Sequence, residues 1–175
     1  MQDLRRWCAG LLLALIPITA ALATSFDIAP HRFAEPVNRN LTRAGSGIHI
    51  ELTGCRSKNP STCSFESSRV GIIVQGSTNQ RRIARITIVA DLMQDREDDP
   101  QATLEEAMLV FGAIILVFDP HLLGSRRTEL LSKLVENALN VGRAEGDGFD
   151  GRYMALFDSA ADGRLLIKIA PKPIR

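Results

Sequence analysis

The sequence predicts an α+β domain, in which helices pack on one face of a mainly antiparallel sheet. Three observations lead to this prediction. Several short segments alternate apolar and polar residues with the period of a strand. Longer segments between residues 101 and 142 repeat apolar residues with the period of a helix. The order of these segments is helix, three strands, two helices and two strands, with no internal repeat and no second domain boundary.

The first 23 residues of the 175-residue chain have the pattern of a cleaved secretory signal peptide. Arg5 and Arg6 precede an apolar run that ends at Ala23 in a small-residue cleavage site. A membrane anchor is the alternative, but the run is shorter than the roughly 20 residues of a spanning helix, and Pro17 interrupts it. We therefore expect residues 24–175 to be exported to a periplasm or secreted, with no transmembrane segment in the mature chain.

The charge balance argues against two classes of partner. The chain has 21 Lys and Arg against 20 Asp and Glu, and loss of the predicted leader leaves the two counts equal. Nucleic acids and anionic membranes attract concentrated positive charge, so we expect this domain to bind neither. The cluster of Arg81, Arg82 and Arg85 follows a predicted hairpin turn, where arginines usually keep an edge strand soluble.

Two cysteines, Cys55 and Cys63, remain after the predicted leader is removed. In an oxidising compartment an even pair favours a disulfide, and the turn-forming Asn59 and Pro60 lie between the two. A thiol redox site usually has Cys-x-x-Cys at the start of a helix. A zinc site needs further ligands, and the three histidines are scattered along the chain. The sequence therefore predicts a structural disulfide, with no metal and no cofactor.

The first half of the mature chain predicts one helix and three strands. Residues 24–33 are irregular and are expected to be flexible. Residues 34–44 predict a helix from the apolar spacing, and residues 47–54 predict a half-buried strand. Residues 64–76 and 81–90 predict an antiparallel hairpin, because each alternates apolar residues and a polar turn joins them.

The second half predicts two helices and a closing hairpin. The segment 101–118 follows a proline suited to a first turn, and Thr103 and Glu106 have the spacing of a capping box. Its second half is apolar all round, which is typical of a helix buried under a sheet. A further helix is predicted from Ser125 to Gly142. The Gly-rich stretch that follows predicts a loop over residues 142–151, before two strands that end the domain.

No catalytic motif in the sequence defines a reaction class. His49 and Glu51 share one face of a predicted strand and are the candidate acid–base pair, and Glu66 could meet Glu51 across the disulfide-linked strands. A solvated strand face is the alternative interpretation of these residues.

We therefore expect a non-enzymatic module that binds another envelope or secreted protein. Two alternatives remain open. One is a small hydrolase that uses the His49 and Glu51 face. The other is a carrier of a small apolar ligand held beneath the helix 101–118.

Overall fold

The structure is a computed structural model that describes residues 26–56, 61–78, 82–92, 99–159 and 163–173. The predicted leader lies outside these residues. Within them the chain forms three α-helices and seven strands. The helices are α1 (Ala34–Arg43), α2 (Pro100–Phe118) and α3 (Gly124–Val141). The strands are β1 (Glu51–Arg56), β2 (Thr62–Glu66), β3 (Val70–Gly76), β4 (Ile83–Asp91), β5 (Arg143–Asp147), β6 (Gly151–Asp158) and β7 (Arg164–Pro171).

The seven strands form one antiparallel sheet with the spatial order β1-β2-β3-β4-β7-β6-β5. Strands β1 to β4 form one meander and β5 to β7 form a second, and the two meet where β4 pairs with β7. Helix α2 packs against β3 and β4, and α3 packs against β5 and β6. The predicted α+β class, an antiparallel sheet with helices packed against it, is confirmed.

The sheet has two more strands than the sequence predicts. Residues 64–76, expected to be one strand, divide into β2 and β3, because the backbone turns at Ser67, whose N–H donates to the Val70 carbonyl over 2.9 Å. Strand β5 lies within the predicted loop 142–151. It has no apolar alternation because it is an edge strand, and pairing with β6 satisfies its backbone.

The segment before α1 contributes to the core. Phe26 forms a bridge with Ile83 at the start of β4, and Phe33 is fully buried. The Phe33 ring packs on Phe65 and Phe118, with ring centroids 5.2 and 6.1 Å apart. Within the segment 24–33, which was expected to be flexible, Phe26 and Phe33 therefore belong to the core.

Strand β1 begins later than predicted, at Glu51 rather than at residue 47. The side chain of Asn38 on α1 accepts a hydrogen bond from the Ile50 N–H and donates one to the Ile50 carbonyl, each over 2.9 Å. The backbone groups of Ile50 are therefore bonded to a helix rather than to β2. Ile50 itself is buried, which keeps the predicted apolar contact although the residue is outside the strand.

Helix α2 is the central helix of the core. Its inward side chains, which include Val110, Phe111 and Ile114, are fully buried. The side chain of Asp99 caps it by accepting the Gln101 N–H over 2.9 Å, and the expected Thr103–Glu106 capping box does not form.

Helix α3 begins two residues earlier than predicted, with Leu123 rather than Ser125 at the N-cap position, and ends where expected. It starts at Gly124 with no side-chain cap, so the predicted N-cap role of Ser125 is wrong. Gly142 ends it with a φ of 83°, a backbone angle that glycine adopts at least cost.

Candidate functional site

The predicted acid–base residues lie at the exposed edge of the sheet. His49 precedes β1, and Glu51 is the first residue of that strand; both side chains are exposed. Glu51 lies directly opposite Glu66 in the register of β1 and β2, so the two residues are neighbours across the disulfide-linked strands. The other two histidines, His31 and His121, lie elsewhere in the fold, and none of the described hydrogen bonds involves His49. The described contacts therefore give this pair no third catalytic group.

The predicted disulfide is confirmed. Cys55 and Cys63 are direct cross-strand partners in the β1–β2 ladder, and their sulfurs are bonded. Cys63 is buried, whereas Cys55 is exposed on the edge strand. The bond therefore attaches the edge strand to the sheet. Among the described residues, no group of three or more His, Cys, Asp or Glu side chains is arranged to hold a metal ion.

A buried carboxyl group on α2 binds the turn between β2 and β3. Glu106 accepts hydrogen bonds from the hydroxyls of Ser67 and Ser68 at 2.5 and 2.7 Å, and from the Arg69 N–H at 3.0 Å. We call these four residues the Glu106 cluster. A cleft of about 250 Å³ lies beside it, lined in part by Arg69, Asp91 and Thr103.

The Glu106 cluster brings serine hydroxyls close to a carboxyl group, which is one requirement of a nucleophile and its base. The same carboxyl oxygens, however, also bond a backbone N–H of the turn, and no histidine takes part in the described hydrogen bonds here. A turn residue that donates to a helix side chain is fixed in place by that bond. The arrangement therefore explains how α2 holds the β2–β3 turn.

A second buried carboxyl group, Asp119, lies at the other end of α2. It accepts hydrogen bonds from the N–H groups of Asp150 and Gly151 at 3.0 and 3.2 Å, and from the Tyr153 hydroxyl at 2.8 Å. We call these four residues the Asp119 cluster. Burial, together with the hydrogen bond and the charge of Asp119, raises the pKa of Tyr153 well above its ordinary value. A Cβ at Gly148 would lie 1.9 Å from an Asp119 oxygen, so this turn packs tightly on the carboxyl group.

The opposite face of the sheet carries no helix among the described residues, and we call it the open face. Its strands β3, β4, β7 and β6 contribute one residue each to a row of direct cross-strand partners. This apolar row consists of Gly71, Val89, Leu166 and Leu156. The row spans three strand spacings, about 14 Å. The side chains of Val89, Leu166 and Leu156 are partly exposed.

A second row of direct partners runs beside the apolar row. This mixed row consists of Ile73, Thr87, Lys168 and Met154. Ile73 is 39% exposed and extends the apolar area, whereas Lys168 places an ammonium group in the middle of it. Arg85, two residues along β4 from Thr87, adds a second cation on the same face. Among the described residues, neither Lys168 nor Arg85 has an ion-pair partner.

The borders of the open face are charged. On the β5 side, Arg143 pairs with Glu145, and Arg152 pairs with Asp147. On the β1 side, Glu66 follows Gly71 in the line of cross-strand partners. An apolar centre surrounded by a charged border is the usual composition of a protein-binding surface.

The sequence contains the signal for this surface, although an alternation analysis does not find it. Alternation assigns Ile86 and Ile88 to one face and treats Thr87 as the polar opposite. The run Ile88, Val89, Ala90 and the run Leu165, Leu166, Ile167 are instead apolar at consecutive positions. Consecutive apolar residues indicate strands that place apolar side chains on both faces.

By length and composition helix α2 is apolar enough to cross a membrane, but half of that segment is buried in the fold. Its contacts with β3 and β4 bring it directly against the sheet. Outward, α2 exposes Leu109 and Leu116. Such direct packing favours a filled core over the ligand cavity that the carrier hypothesis requires.

Comparison with known proteins adds no family to these observations. No protein-family model, no curated protein and no solved structure matches the chain.

Proposed function

We propose that this protein is an exported, non-enzymatic module that binds another envelope or secreted protein through the open face of its sheet. The observation that carries the proposal is the apolar row, Gly71, Val89, Leu166 and Leu156, which crosses four strands of the open face. The disulfide and the leader-type N-terminus support export, because disulfides persist in oxidising compartments.

The composition of the open face favours a protein partner over a small molecule. Small-molecule sites are concave, and they bury most of the ligand surface. The apolar row lies instead along a sheet surface with partly exposed side chains. Exposed apolar groups on a stable domain have a cost in solubility, and a partner that covers them would remove it.

The other candidate roles have less support from the described geometry. Among the described contacts, the exposed His49 and Glu51 have no third catalytic partner, and Glu106 and Asp119 use their oxygens to fix turns. The hydrolase hypothesis would regain support from activity that disappears on His49→Ala substitution without loss of folding.

The test compares affinity capture by two single variants of the full chain, expressed in the host. Leu166→Glu places a carboxylate in the centre of the apolar row. Leu116→Glu is the matched control, because Leu116 is an exposed leucine on the helix side, with 40% of its surface exposed. We expect proteins captured by the wild type to be captured equally by Leu116→Glu and to be reduced about tenfold or more with Leu166→Glu.

Thermal unfolding of each purified variant shows whether the fold is retained. Equal capture by both variants, with both folded, would exclude the open face as the binding surface. Loss of capture in Leu116→Glu alone would move the surface to the helix side.

A further inference from the structure

We infer that the open face binds an amphipathic helix whose apolar stripe is flanked by Asp or Glu residues. The inference rests on the proposed function and names the chemistry of the partner. The juxtaposition of the apolar row with Lys168 and Arg85 carries it.

The hydrogen bonding of the sheet disfavours a lone extended peptide on this face. Strands β3, β4, β7 and β6 each have a bonded neighbour on both sides, so their backbone groups are already paired. A peptide that lies on the face in an extended conformation would lose water from its own N–H and C=O groups and gain no backbone partner. A helix satisfies these groups internally, and so it can cover an apolar face at no such cost.

The dimensions of the apolar row agree with a helix of about three turns. Four strands at the usual spacing give a row of about 14 Å. A helix rises about 1.5 Å per residue, so apolar residues at positions i, i+4, i+7 and i+11 span about 16 Å. Such a stripe can contact Val89, Leu166 and Leu156 in succession, with Ile73 and Met154 beside it.

The charges define the flank of that helix. Lys168 lies one row from Leu166, and Arg85 lies on the same side of the apolar row. Both lack an ion-pair partner among the described residues. On the opposite side of the apolar row the cation is Arg164, which already has an ion-pair partner, because it lies 3.5 Å from the carboxylate of Asp91. Carboxylates on the Lys168 side of a bound helix would therefore meet unpaired positive charge.

The same charges disfavour a second copy of this chain as the occupant. A symmetric dimer places the same patch on both sides of the contact. If the two-fold axis ran along the strands, the positive flank of Lys168 and Arg85 would meet its own copy. If it ran along the apolar row, that flank would meet Asp91, whose carboxylate already pairs with Arg164. The leader is a poor occupant as well, because its charged residues are Arg5, Arg6 and a single acid, Asp3.

The test is a selection of displayed helical peptides against the oxidised full chain. The library holds 18-residue helices with an apolar stripe and random flanking residues. We expect the selected peptides to carry Asp or Glu on one flank of the stripe. The best peptide should bind Leu166→Gln about tenfold or more weakly than wild type, because that change removes the centre of the apolar row.

A charge exchange then tests the role of Lys168 directly. Lys168→Glu should weaken binding of the acidic peptide by about tenfold, and a peptide with Lys in place of the flanking Glu should recover it on that variant. Lys168 is partly exposed and has no described partner, so we expect the variant to unfold at nearly the same temperature as wild type.

Each other outcome has a definite meaning. Selected peptides that depend on Leu166 but carry basic or uncharged flanks would overturn this inference and leave the proposed function in place. Peptides that bind equally to wild type and Leu166→Gln, or a failure to select any peptide, would overturn this inference, and capture by the Leu166→Glu variant would then decide the proposed function. A dimer of the full chain that is abolished by Leu166→Gln would replace the helix with a second copy.

Discussion

The two faces of the sheet are built from the same strands but have opposite surroundings. In β7, Ile167 points into the core with no exposed surface, and its neighbour Leu166 points to the open face and is partly exposed. On the covered face, helices bury the side chains, and two buried carboxyl groups bind turns. On the open face, apolar side chains of similar size have no covering element among the described residues.

This difference separates the residues that stabilise the fold from those available for binding. Apolar burial on the covered face contributes to folding, at roughly 25 cal/mol for each Å² removed from water. The apolar row contributes less to folding because it keeps part of its surface in water. Substitutions at neighbouring positions should therefore affect different properties of the protein.

The largest difference is expected between Ile167→Ala and Leu166→Ala. Ile167 is fully buried, so its truncation should lower the free energy of unfolding by about 2 to 5 kcal/mol. Truncation of the partly exposed Leu166 should lower the free energy of unfolding by about 1 kcal/mol. Denaturant unfolding of both variants measures this. Equal losses would show that the open face contributes as much to the core as the covered face does.

The two buried carboxyl groups should differ in a second experiment. Asp119→Ala leaves the Tyr153 hydroxyl and two N–H groups without their acceptor inside the protein, and should cost about 3 kcal/mol. Glu106→Ala should cost about 1 to 2 kcal/mol, because Ser68 and Arg69 are exposed and their donors can bond to water. Denaturant unfolding of the two variants measures both losses in free energy. A larger loss for Glu106→Ala than for Asp119→Ala would contradict this prediction.

The disulfide should have a moderate effect that is confined to the edge of the sheet. The double variant Cys55→Ser/Cys63→Ser should lower the free energy of unfolding by about 2 to 3 kcal/mol, as expected for a short closed loop. Hydrogen exchange should increase in β1 and remain slow in β7. Fast exchange throughout the sheet would show that the bond supports more than the edge strand.

Alkaline pH should reveal how well the covered face excludes water. The pKa of Tyr153 is raised in the folded protein, so its burial contributes stability below the unfolded pKa of about 10, and that contribution falls as the pH rises above it. Wild type should therefore lose about 1.4 kcal/mol per pH unit above 10 relative to Tyr153→Phe.

The chain has one tyrosine, so absorbance at 295 nm follows Tyr153 alone. We expect no phenolate signal before unfolding. Ionisation near pH 10 in the folded protein would show that water reaches the Asp119 cluster.

Local patterns in the sequence predict most of the fold but few of its polar contacts. The spacing of Val37 and Leu41, the Gly142 helix end and the alternation in β3, β4 and β7 are local signals, and each predicted element is present. The cysteine pair was predictable because the predicted export and the turn residues together favour a bond between Cys55 and Cys63. Strand β5 was missed because an edge strand needs backbone pairing rather than apolar alternation.

The remaining features depend on contacts between distant parts of the chain. Glu106 lies 38 positions from Ser68, and Asp119 lies 34 positions from Tyr153. No local pattern in the sequence indicates that these carboxyl groups and their hydrogen-bond donors meet in the fold. The apolar row likewise appears only when β4 and β7, which are separated by two helices, are paired in register. Single-strand alternation cannot reveal a row that crosses four strands.

Site-specific photo-cross-linking tests the central claim most directly. A benzoylphenylalanine replaces Thr87, in the mixed row, or the exposed Glu136 on α3 as the control, and the full chain is irradiated in its host. We expect a protein to be cross-linked at position 87 and not at position 136. The cross-link on that protein should lie in a helical segment that contains Asp or Glu. Cross-linking at position 136 alone, or at neither position in the folded protein, would contradict the assignment of binding to the open face.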